Sequence, residues 1–183
     1  MDTGSIATQL LDGEQIAWTG GPSTGIRLQA ADTFLIPFSL LWCGFALFWE
    51  YSVISIGHAP VFMRLWGIPF ILFGLYFVVG RFMLDAWLRG RTYYALTNQR
   101  ILIYRRPPLA QFTALNLKQL PDMNLIESSA GSGTIRFGPQ MPLFGRGTGF
   151  SIWTPSLDPT PQFVAVTNAS ALFRQLQQAQ RNA

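Results

Sequence analysis

Hydrophobic positions along this chain fall into three patterns. Residues 34–49 and 65–80 are two runs of sixteen residues without one charged side chain. As a helix at ~1.5 Å per residue, each covers about 24 Å, slightly less than the ~30 Å hydrocarbon core of a bilayer. Both lengthen, the first through Tyr51, Val53, Ile54 and Ile56, the second through Phe82, Met83 and Leu84. Helices this apolar on every face are membrane spans or deeply buried core helices, and run length favours the span. The pattern predicts a transmembrane hairpin over residues 34–84, with helices near 34–56 and 61–84 and a turn at Gly57-His58-Ala59-Pro60. Asp32 and Thr33 are candidate caps, Pro37 falls near the first turn, and Trp49, Tyr51, Trp66 and Trp87 suit an interfacial belt. The Arg81 stem is long enough to carry its head group to the interface. Gly67 and Gly74, seven apart, share one face and would let the helices approach closely.

From residue 91 the period shortens to that of strands. Residues 91–96, 100–105, 111–117, 123–128, 134–137, 150–153 and 163–166 are the candidates, with Thr97-Asn98-Gln99 and Ala130-Gly131-Ser132-Gly133 as turns. The third pattern is an amphipathic helix near the C-terminus, capped by Thr167 or Asn168, with Ala169, Leu172, Phe173, Leu176 and Ala179 on one stripe. Residues 1–33 form a polar lead holding one β-like stretch, 15–19, stopped by Gly20-Gly21-Pro22. The expected class is an α+β membrane protein: a lead (1–33), a hairpin (34–84), and a small antiparallel barrel or sandwich of about seven strands closed by a helix (91–181).

Charge orients the hairpin. Only Arg27 precedes it and only Arg64 lies in its loop, whereas Arg81, Arg89, Arg91 and Arg100 follow. The positive-inside bias puts the strand-rich domain in the cytoplasm, and two crossings return the N-terminus to the same side. Charged residues make up only 12% of the chain, as two lipid-facing helices would produce, and the net charge of +4 points to a bilayer and its anionic head groups rather than nucleic acid. The single cysteine, Cys43, lies inside an apolar run, which rules out an intrachain disulfide and a cysteine-based zinc site.

Several segments resemble one known family. Tyr94-Ala95-Leu96-Thr97-Asn98-Gln99-Arg100-Ile101-Leu102 is similar to the opening hairpin of bacterial pleckstrin-homology (PH) domains, and Gly133-Thr134-Ile135-Arg136-Phe137-Gly138 to a later glycine-led strand. Residues 163–180, a strand running into a Leu-rich helix, and the lead Gly13-Glu14-Gln15-Ile16-Ala17-Trp18-Thr19-Gly20 resemble the family too. Asn98-Gln99 departs from the Asp-Arg of many relatives. The resemblance implies a seven-stranded, helix-capped fold on a two-helix anchor in a bacterial inner membrane, and binding or scaffolding rather than chemistry. It does not imply the phosphoinositide specificity of eukaryotic relatives.

The residues give no enzyme signature. His58 is the only histidine, Asp122 and Glu127 are odd-spaced across a strand, and Gly145-Arg146-Gly147-Thr148-Gly149 lacks the Lys-Ser/Thr of a phosphate loop. No cofactor is expected. Arg89, Arg91, Arg100, Arg105 and Arg106 form the candidate membrane-surface site, with Asp85 partly neutralising Arg81 and Arg89 at helical spacing. Met141, Leu143 and Phe144, apolar side chains on a Gly- and Pro-rich loop and steered by Arg136 and Arg146, are a candidate docking tip or a plug for their own domain. Two functions remain: a membrane-anchored module docking a protein segment or anionic lipid, and an accessory structural subunit of a larger membrane complex or homo-oligomer.

Overall fold

Two apolar helices interrupt a β unit after its first strand. The computed structural model describes residues 9–29, 31–127, 132–138 and 154–182. Element order is β1 (Ile16–Gly20), α1 (Asp32–Ser55), α2 (Val61–Arg89), β2 (Thr92–Thr97), β3 (Arg100–Arg105), β4 (Gln111–Asn116), β5 (Met123–Glu127), β6 (Ser132–Phe137), β7 (Gln162–Thr167) and α3 (Ala169–Asn182). The candidate strand at 150–153 lies outside the described residues.

The chain divides into two compact units. The β unit takes the described residues of Met1–Gly25, Ala86–Gly147 and Asp158–Ala183, and the helical unit those of Ile26–Asp85 and Thr148–Leu157.

In the β unit, two antiparallel sheets run in the orders β1-β2-β3-β4 and β5-β6-β7. Residues 16–20 of the expected lead thus become an edge strand, with Ile16 opposite Thr97 and Gly20 opposite Tyr94. A sequence-local reading cannot see this pairing, because more than seventy residues of chain separate the partners. Alternation decides the faces. Tyr94, Leu96, Ile101 and Ile103 point inward with Ile135, Phe137, Phe163 and Val166, and Leu172 and Leu176 of α3 close this core. The Tyr94 and Phe163 rings stack 4.5 Å apart, and Phe137 meets Phe163 edge-on at 5.2 Å. α3 can come this close because β6 carries Gly133 beneath it: a Cβ there would lie 2.7 Å from the Ala169 Cβ.

In the helical unit, α1 and α2 are long and apolar enough to cross a membrane. Gly67 and Gly74 are buried, as their shared face predicts. A Cβ at Gly74 would lie 3.0 Å from the backbone and side chain of Cys43. Two details differ from the sequence reading. Asp32 is the first helical residue, and its carboxylate accepts from the Gln29 N–H at 2.6 Å and from Arg81 at 2.5 Å. Arg81 is 1% exposed and also donates to the Phe77 carbonyl, so its head group turns inward onto Asp32. The second detail is a π-helical turn at Tyr76–Gly80. Thr154 meets the Tyr76 hydroxyl at 3.1 Å, and the backbone N–H and hydroxyl of Ser156 donate to Asp85.

Candidate functional site

The five arginines expected at a membrane surface separate into two groups. Arg89 ends α2 with its head group buried, donating to the carbonyls of Ser23 (2.7 Å) and Gly25 (2.6 Å) just past β1. Arg100 grips Glu14 through two bonds of 2.8 Å, from Nε and Nη2, and reaches the Gln9 carbonyl at 2.7 Å. These two hold the fold.

Around Glu14 the lock is nearly complete. Its side chain is fully buried and also accepts from the Thr97 hydroxyl (2.7 Å) and the Leu11 N–H (2.8 Å). The Arg100 hydrogen bond holds the Glu14 carboxyl down at about 2, against the opposing pull of burial, and Glu14 in turn pushes Arg100 up. Asn98 adds a backbone and a side-chain bond to Gln15, each 3.0 Å. The hairpin motif Thr97-Asn98-Gln99-Arg100 is therefore a clasp on the lead. Sequence reasoning singled out the motif and the Gly13-Glu14 pair separately. No local signal joins them, because Glu14 shares its stretch with Asp12 and lies 86 residues from Arg100.

Arg91, Arg105 and Arg106 form the second group. The Arg91 guanidinium sits 4.2 Å from the centroid of the Trp87 ring and donates to the Pro107 carbonyl at 2.8 Å. The Arg106 N–H donates to the Arg91 carbonyl, and its guanidinium lies 4.9 Å from the Tyr93 ring. Arg105 bonds the Thr92 hydroxyl at 3.4 Å. Register then extends the surface: Tyr93 is opposite Tyr104, and Tyr104 opposite Phe112, an aromatic row straight across β2, β3 and β4. The row lies on the face away from Tyr94 and Ile103, since side chains alternate. Trp87 is 40%, Leu109 48% and Phe112 43% exposed.

This patch is positive throughout. Between Asp85 and Asp122 the chain has five arginines, one lysine and no acid. Arginines lying on rings keep their charge outward while the rings supply apolar area. The arrangement attracts anions and greasy surfaces, and it positions no nucleophile beside a base.

The other candidates fall elsewhere. Met141, Leu143, Phe144 and Arg146 lie outside the described residues, while Arg136 pairs with Asp158 at 2.5 Å. His58 is exposed in the α1–α2 turn, and Cys43 is buried at Gly74. No family model, no curated protein and no solved structure matches this chain.

Proposed function

We propose that this protein is a membrane-anchored, PH-like binding module of a bacterial inner membrane, whose β unit docks on the anionic lipid surface of the cytoplasmic leaflet. Binding, not catalysis, is its task. The PH-like reading is supported by the four-stranded and three-stranded sheets with their closing helix, and by the motif at Thr97–Arg100 that clasps the lead. The anchor reading is supported by two helices of spanning length.

One observation carries the docking reading: Arg91 and Arg106 lie over Trp87 and Tyr93, beside exposed Leu109 and Phe112, in a stretch without acids. Each arginine held near an anionic leaflet contributes about 1 kcal/mol, and the exposed apolar side chains add area that can leave water. In sequence, Trp87 and Arg91 follow the second apolar run closely, which keeps the patch tethered near the bilayer. An accessory subunit packing on other helices would be favoured by a polar or small-residue stripe left open on the hairpin, and Gly67 and Gly74 instead face α1.

Hydrogen exchange on the full chain in nanodiscs tests this. In anionic lipid the amides of residues 105–112 should exchange more slowly than in neutral lipid, and the difference should fade in high salt as the ~8 Å Debye length shrinks. Arg91→Gln with Arg106→Gln should remove it. Equal exchange in both lipids contradicts the docking reading.

A further inference from the structure

Trp42, Phe45, Ala46 and Trp49 of α1, with Trp66 and Phe70 of α2, line a recess of about 270 Å³ in the helical unit. Five of the six are aromatic. The Phe70 centroid lies 6.3 Å from that of Trp42 and 6.0 Å from that of Trp66. Beside Trp49 stands Glu50, the only acid between Asp32 and Asp85. Gly67 opens the notch that admits it, since a Cβ at that position would run into both the Glu50 carboxyl and the Trp49 ring. Trp49 therefore links the two, lining the recess and meeting the notch that Glu50 fills.

The Glu50 Oε2 atom is buried and accepts no hydrogen bond. Arg64, one turn before Gly67 on α2, donates from Nη2 to the Gly57 carbonyl at 3.0 Å, and its buried Nε has no partner among the described residues; it forms no ion pair with Glu50. Glu50 as a whole is half-buried, so one carboxylate oxygen is shut away without a donor while the side chain still reaches the surface. Ring faces carry negative potential, and so does the carboxylate. Both features therefore select the same sign of ligand.

We propose that the recess with Glu50 is a binding site for a lipophilic organic cation, such as a quaternary ammonium or phosphonium ion. The rings take the apolar substituents and face the charge, while Glu50 neutralises it. An acyl chain would fill the recess but leave the carboxylate unpaired, and an anion would meet repulsion from both. The site lies wholly within the helical unit and does not depend on how the β unit docks.

The test uses the purified full chain in neutral nanodiscs, titrated with tetraphenylphosphonium and, separately, with tetraphenylborate, which has nearly the same shape and the opposite charge. Tryptophan fluorescence should change saturably with the phosphonium and not with the borate. Glu50→Gln should weaken phosphonium binding at least about tenfold, the scale of a desolvated cation contact. Trp66→Leu, at an exposed ring, weakens it too and serves should the Glu50 variant misfold. Equal titration by both ions, or unchanged phosphonium binding in both variants, overturns the proposal.

Discussion

Glu14 shows how much a single side chain can carry. Its carboxyl sits near 2 in the folded chain, below its ordinary 4.5, so the native state holds its proton more weakly than the unfolded chain does. The stability it contributes is complete above about pH 4.5 and is lost as pH falls from there towards about 2. At ~1.4 kcal/mol per pH unit, the fall from 4.5 to about 2 amounts to roughly 3–4 kcal/mol. Glu14→Gln should lower the melting temperature of the β unit at neutral pH and flatten its decline between pH 4.5 and 2; a variant that melts like the parent at both ends would refute the lock. Residue type and spacing in the sequence marked Arg89, Arg91, Arg100, Arg105 and Arg106 as one basic set. Their division was illegible, because the Glu14 partner of Arg100 is 86 residues away and the carbonyl partners of Arg89 are 64 and 66 away.

At the scale of elements, periodicity spoke clearly. The uniform apolar runs became α1 and α2, alternation became β2 to β7 with ends shifted by a residue or two, and the stripe Ala169, Leu172, Leu176 became the buried face of α3. The membership of β1 and the π-turn at Tyr76–Gly80 were not legible, since pairing across an insertion and helix register are set by tertiary contacts. Glycines at close approaches give a direct check. Gly133→Val should push α3 off β6 and destabilise the β unit by about 1–3 kcal/mol, as overpacking does, with a fall in melting temperature as the readout. In the hairpin, Gly74→Val should loosen α1 from α2, whereas Gly44→Ala, with nothing within 4 Å of its Cβ, should leave hairpin stability unchanged. Cross-linking between cysteines placed on the two helices would distinguish them, and equal efficiency in both variants would contradict the Gly74 seat.

As a whole molecule, the protein is proposed to be an anchored module with its β unit on the cytoplasmic side. Arg81 and Arg89 lie towards the end of α2 nearest the β strands in sequence, with Arg91 just beyond, whereas the α1–α2 turn carries the exposed His58 and the opposite end of α2 only Arg64. That asymmetry is what the orientation rests on. The most direct measurement replaces Cys43 with Ala and His58 with Cys, leaving one thiol in the turn, and treats intact cells with a membrane-impermeant maleimide. With the turn outside the cytoplasm, intact cells should be labelled to the level reached after lysis. Label that appears only after lysis would place the turn in the cytoplasm and contradict it.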